Sequence, residues 1–292
     1  MKKFTFIVAA LIAVALAWAG SSHAIGLGDL NKIDVNKAVS GTKQIIEASK
    51  DITPSEEYYI GRAVAANIIS RYPLVENPAQ TTYLNEVGLT VARASDKPYT
   101  YGGYHFAVVK SDTPNAFACP GGIVLITTGL LKSVKSEDEL AGVLAHEIAH
   151  VAHSDGVSAI KKSQWTKLGV DVAVEVGKDY TPSQAKALTD AFSGTVADVT
   201  KQVLESGYSK SAEKNADDSA VSYLTKAGYD PRALVAVLEN VSKSGSTDAG
   251  KWLSTHSSPD KRIAALNSDI EKSGTTPAVD KARTARFASS VK

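Results

Sequence analysis

Leu140-Ala141-Gly142-Val143-Leu144-Ala145-His146-Glu147-Ile148-Ala149-His150 is apolar apart from two histidines and one glutamate, and it reads as a buried helix. An α-helix turns about 100° per residue, so residues four apart lie within about 40° of each other and roughly 6 Å apart along the axis. His146 and His150 can therefore grip one ion. Two imidazoles on one face, with Glu147 beside the first, make the H-E-x-x-H pattern that suits a zinc ion and a carboxylate able to deprotonate its water. Upstream, Ser136-Glu137-Asp138-Glu139 has the S-x-x-E form of a capping box, which satisfies free amide donors where a helix begins.

A zinc site needs further ligands. The extended metzincin motif would place glycine at position 153 and histidine at position 156, whereas the chain has His153 and Gly156, so that solution is excluded. The other common solution takes a carboxylate from a later helix. Glu213-Lys214-Asn215-Ala216-Asp217 offers two acids one helical turn apart.

The chain opens with a short basic head, Met1-Lys2-Lys3, an almost wholly apolar run from Phe4 to Ala19, and small residues at Ser22-His23-Ala24. This is the pattern of a secretory signal cleaved after Ala24, and the apolar run is shorter than the roughly 18 residues a membrane span needs. Residues 1–24 are thus expected to be removed, leaving a mature chain with no transmembrane segment and an exported, periplasmic address. What remains carries 30 basic against 31 acidic side chains, a balance that argues against nucleic acid as a partner. Cys119 is the only cysteine, which rules out an intrachain disulfide.

Residues 25–52 read as a leader. Thr53-Pro54-Ser55-Glu56 then starts a helix running to about Tyr72, before Pro73, and a second runs from Thr81 to about Ala94. Residues 104–109 and 123–127 are short, β-branched and aromatic, and read as strands. Between them, prolines and glycines around Asn115-Ala116-Phe117-Ala118 point to turns and an interrupted edge, which could receive an extended peptide through main-chain hydrogen bonds or could be an ordinary hairpin connection. Residues 154–207 have helical periodicity with a weak core, a helical insert placed to be a lid or surface padding. A helix from Ser211 ends at Ala227-Gly228, another starts at Asp230-Pro231, a last short one begins at Ile263, and residues 273–292 read as a mobile polar tail.

Taken together, Asn115-Ala116-Phe117-Ala118, Pro120-Gly121-Gly122, His146-Glu147-Ile148-Ala149-His150, Glu213 to Asp217, Ala227-Gly228-Tyr229-Asp230-Pro231, and Thr255-His256 with Arg262 stand in the order and spacing of one family. The chain resembles peptidase family forty-eight of the metallo class, which includes the CAAX prenyl protease and periplasmic assembly-enhancing proteases. The likeness covers about Glu56 to Ile263. It implies an α+β, predominantly helical, zincin-like domain over residues 53–272, with a small sheet packed on the active-site helix. It implies one Zn2+ per chain, with Glu213 as third ligand and Asp217 holding a ligating histidine. In such proteins the histidine matching His256 can approach the metal as an inhibitory ligand; here Ser257 replaces the proline that follows it. After Arg262 about 30 residues remain, fewer than one tetratricopeptide repeat of roughly 34, so no such array is expected.

The expected activity is that of a zinc metalloendopeptidase. Glu147 would act as general base and then acid, and Arg262 or His256 as donor to the tetrahedral oxyanion. Substrates would be unfolded or misassembled envelope proteins held along Asn115, Ala116, Phe117 and Ala118, with the outer-membrane assembly machinery as a partner. The competing expectation is a zinc-containing envelope chaperone or assembly factor whose active site His256 keeps latent.

Overall fold

Helix starts in this chain are written in side chains that supply the hydrogen bonds a helix N-terminus lacks. The computed structural model describes residues 52–158, 193–243, 259–273 and 280–291, within a unit spanning Ala48–Lys292. The signal and leader stretches, most of the 154–207 insert, and His256 lie outside the described residues. Helix α1, Pro54–Arg71, is closed by a complete capping box: the Glu56 amide donates to Thr53 Oγ1 at 3.3 Å and the Thr53 amide to Glu56 Oε2 at 2.7 Å. Helix α2, Pro78–Arg93, begins three residues before the expected Thr81, because the Asn77 side chain accepts from the Gln80 amide.

Three short strands follow: β1, His105–Val109; β2, Ala116–Cys119; and β3, Ile123–Thr127. Their order is β1-β3-β2. β3 pairs parallel with β1, Phe106 opposite Val124, and antiparallel with β2, Phe117 opposite Leu125. The connection between the two expected strands is therefore a crossover containing β2, not a hairpin, since parallel neighbours cannot be joined by a tight turn. A turn-length helix α3, Thr128–Ser133, leads to α4, Glu137–Ala152, and a single turn α5, Asp155–Ser158. Residues 193–201 are helical and continue into a π-helical turn, Gln202–Ser206.

Helix α6, Lys210–Ala227, is capped by Ser209 rather than starting at Ser211. It stops where expected. Gly228 takes a left-handed φ of 79°, and the Gly228 and Tyr229 amides fold back to Thr225 and Leu224 carbonyls at 3.1 and 2.9 Å. Helix α7, Arg232–Lys243, helix α8, Pro259–Ser273, and helix α9, Lys281–Val291, complete the described chain. The stretch read as a mobile polar tail is thus corrected: it contains α9, whose Phe287 is buried in the main core.

The architecture is α+β and predominantly helical. Strand alternation splits the core in two. Phe106, Val108, Ala116, Ala118, Val124 and Ile126 face the larger core, built around α4 with α2, α6 and α7. Phe117, Cys119 and Leu125 face the other way, against Ile60, Val64 and Ile68 of α1 and Val196, Val199 and Val203. Helix α4 is buried along nearly its whole length, from Leu140 to Val151. It is the central element, and it carries the histidines. Among the described residues no helix is long and apolar enough to cross a membrane.

Candidate active site

The site is built on α4, where one helical turn separates His146 from His150 and both side chains are buried. Their Nε2 atoms lie 3.2 Å apart. Helix α6 crosses beside them and brings in Glu213, buried at 0% exposure, with carboxylate oxygens 3.6 Å from His146 Nε2 and 3.4 Å from His150 Nε2. Bonds of about 2.0–2.1 Å in a tetrahedral site set ligands about 3.3–3.4 Å apart, and the two rings with the two oxygens of Glu213 are spaced on that scale. These three residues form a group that could hold a metal ion.

Each ring is aimed by a carboxylate on its other nitrogen. His146 Nδ1 lies 3.0 Å from Asp217 Oδ1, one turn along α6 from Glu213, and His150 Nδ1 lies 2.8 Å from Asp155 Oδ2. With both Nδ1 atoms donating, both Nε2 lone pairs converge on the same point. Asp155 is reached through a left-handed residue, Ser154 at φ 55°, which turns the chain back beneath the end of α4. Ser154 is tied down in turn: its hydroxyl donates to Glu57 Oε1 at 3.0 Å, and Lys97 holds the other oxygen of Glu57 at 2.9 Å.

Arg262 comes from α8 and is only 4% exposed. Its Nε and Nη2 donate to the two oxygens of Asp217 at 2.8 and 2.7 Å, and its Nη1 lies 3.6 Å from Glu213. The guanidinium therefore grips Asp217 against the Nδ1 edge of His146. Burial, with Arg262 adding to it, lowers the pKa of His146, and the neutral ring is the ligating form. Burial also opposes a charge on His150, but hydrogen bonds to Asp155 and Glu213 and the charge of Glu147 outweigh it and raise its pKa to about 9.

Glu147 is buried beside His146 on α4. The carboxylates of Glu147, Asp155, Glu213 and Asp217 face Arg262 and a proton on His150 that a bound ion would displace, so the acids are in excess. Removing unbalanced charges from water costs several kcal/mol per ion, so a cavity of this composition calls for a cation. A divalent ion suits both its charge and its geometry.

The sequence-predicted peptide-binding residues lie along β2, where the structure separates their roles. The Thr127 amide donates to the Asn115 carbonyl at 2.9 Å, and the antiparallel alternation then directs the main-chain groups of Phe117 and Cys119 to β3 and those of Ala116 and Ala118 to the sheet edge. The Asn115 side chain accepts from the Ala116 amide at 2.9 Å. Phe117 is a core side chain, stacked at 6.0 Å on Tyr72. Its side chain packs the smaller core, while its place on β2 keeps it within the strand expected to receive a peptide through main-chain hydrogen bonds. Cys119 is fully buried and burial pushes its thiol well up, which makes it inert.

Two residues of the site were not read from the sequence. Asp155 carries no motif, and its recruitment depends on the Ser154 turn. Tyr208 follows the π-helical turn and lays its ring over His150, centroids 4.3 Å apart.

Residues 78–270 match the description Peptidase family M48. The chain is 27% identical over 219 residues to the Beta-barrel assembly-enhancing protease of Yersinia pestis, covering 74% of this chain and 44% of that protein. It is 31% identical over 159 residues to the Mitochondrial metalloendopeptidase OMA1 of Arabidopsis thaliana, with 54% and 30% covered. Over 147 residues it is 25% identical to the Metalloprotease YcaL of Escherichia coli, with 50% and 53% covered. The chain therefore spans less than half the length of the assembly-enhancing relatives it matches.

Proposed function

The chain belongs to peptidase family M48, and from that premise we propose that it is a zinc metalloendopeptidase acting on unfolded or misassembled proteins of the cell envelope. The observation that carries this reading is the convergence of His146, His150 and Glu213, whose ligand atoms lie within 4.8 Å of one another, with Glu147 buried beside them. The zinc, when bound there, supplies Lewis acidity toward a water and the scissile carbonyl.

The remaining work belongs to the chain's own groups. Glu147 accepts the proton of the attacking water and passes it to the leaving amine. Asp217 and Asp155 fix the tautomers and directions of His146 and His150. Arg262 holds Asp217 in place, a positioning role supported by its two hydrogen bonds to that carboxylate. The catalytic domain is assigned to residues 53–272. The basic head, apolar run and Ser22-His23-Ala24 support export to the periplasm. The name of the assembly-enhancing relatives supports an association with outer-membrane assembly.

Metal content and casein cleavage by the purified chain test this, beside Glu147→Gln. Wild type holding one zinc and cleaving, with Glu147→Gln holding zinc and leaving casein intact, is the expected pattern. A wild type that binds no zinc, or cleavage that survives Glu147→Gln, would sink the reading.

A further inference from the structure

Tyr208 joins two parts of the site that the chemistry must bring together. Its ring lies over His150, 4.3 Å between centroids and tilted by 31°, while its hydroxyl donates to the carbonyl of Ala118 on β2 at 3.4 Å. Ala118 is one of the two β2 residues whose main chain faces the sheet edge, so the phenol occupies the acceptor that an added strand would need. One side chain thus spans from a metal-ligating ring to the peptide-pairing edge. At 3.4 Å its hydrogen bond is long, and a well-placed amide can displace it.

The backbone around Tyr208 is built for this placement. Gly207 sits at φ 65°, ψ −168°, a region essentially reserved for glycine, and ends the π-helical turn by reversing the chain toward His150. Gly156, on α5, leaves room beside the hydroxyl: a Cβ there would stand 3.5 Å from Tyr208 Oη and 3.0 Å from Pro120 Cγ.

We propose that Tyr208 is a catalytic residue that gives up its hydrogen bond to Ala118 when a substrate strand pairs with β2, and then donates its O–H to the oxyanion of the tetrahedral intermediate. The inference rests on the peptidase reading above and adds the donor that reading needs. Arg262 is engaged with Asp217 at the far edge of His146, whereas Tyr208 lies on the His150 side, next to the strand edge that would align the scissile bond. The phenol keeps its proton throughout. Burial and the neighbouring acids hold its pKa well above the ordinary phenol value, which leaves it a donor at neutral pH.

Tyr208→Phe removes the hydroxyl and keeps the ring on His150. In the zinc-loaded full chain, kcat on a quenched casein-derived peptide should fall about 100-fold or more, the usual cost of one oxyanion donor. KM should stay level or drop, because the competitor for Ala118 is gone. Two further readouts stand apart from turnover. Binding of the same peptide to Glu147→Gln should be no weaker once Tyr208→Phe is added, and a phosphinic peptide, which mimics the tetrahedral oxyanion, should bind the Tyr208→Phe enzyme less tightly than wild type. Retained kcat with equal phosphinic-peptide affinity would overturn the proposal, as would loss of zinc from Tyr208→Phe, which would reveal a structural role only. Should wild type turn nothing over yet bind the phosphinic peptide more tightly than Tyr208→Phe, the peptidase reading fails while the donor role stands.

Discussion

Asp155 shows how much of a metal site can hang on one residue without a motif. Its Oδ2 lies 2.8 Å from His150 Nδ1, the counterpart of Asp217 on His146, so each ligating ring has its own carboxylate. A ring without such a partner loses a fixed tautomer and some basicity. Asp155→Asn is expected to weaken zinc affinity by about 10–100-fold, read by competition against a chelator of known affinity, with the fold unchanged by circular dichroism. Zinc affinity equal to wild type would remove Asp155 from the site. Asp217 was legible because it sits one helical turn from Glu213, on the same face. Asp155 lies past the end of α4, and only the left-handed Ser154, tethered through Glu57 and Lys97, brings it under His150.

At the level of elements, α4 is held at its N-terminus by a carboxylate that looks from sequence like a solvent-facing charge. Glu137 is 1% exposed and accepts from Tyr83 at 3.1 Å, Tyr229 at 3.2 Å and Arg286 of α9 at 2.8 Å. Arg283 of α9 pairs with Asp138 at 3.1 Å and lies 4.3 Å over the Tyr229 ring. The capping box expected at Ser136 is also rearranged: Ser136 accepts from the Glu139 amide, but the Glu139 carboxylate turns to the Lys135 amide at 2.8 Å. Helix α9 was unreadable because Phe287 is its only large aromatic and its other anchors are arginines whose partners lie about 145 residues earlier. Phe287→Ala should therefore destabilise the protein by about 3–5 kcal/mol, measured by urea unfolding. A change below about 1 kcal/mol would mean that α9 is not docked.

For the whole molecule, the proposed metal site is where separate elements meet: α4 would give two ligands and α6 the third, and α8 reaches in through Arg262 to hold Asp217. Anything that binds only the folded state stabilises it by mass action, about 4 kcal/mol when free ligand is 1,000 times its Kd. Chelation of the zinc-loaded protein is expected to lower its melting temperature, with Glu147→Gln showing the same drop and Glu213→Ala almost none. Identical melting of wild type with and without chelator would show that the cluster holds no ion that matters to the fold.

What the sequence determined by itself is what depends on short range. The 3.6-residue period puts His146, Glu147 and His150 on one turn and Glu213 one turn from Asp217, a side-chain capping box sets the start of α1, and a left-handed glycine sets the end of α6. What only the tertiary structure decided are contacts made across long stretches of chain: the parallel pairing of β1 with β3, the tether of Ser154 to Glu57 that sets Asp155 on His150, Arg262 spent on Asp217, α9 against Glu137, and Tyr208 bridging His150 and Ala118. Periodicity fixes which residues share a face, because helix and strand geometry repeat identically along any chain. Which faces meet depends on how all the apolar stripes are buried at once, and no local pattern encodes that.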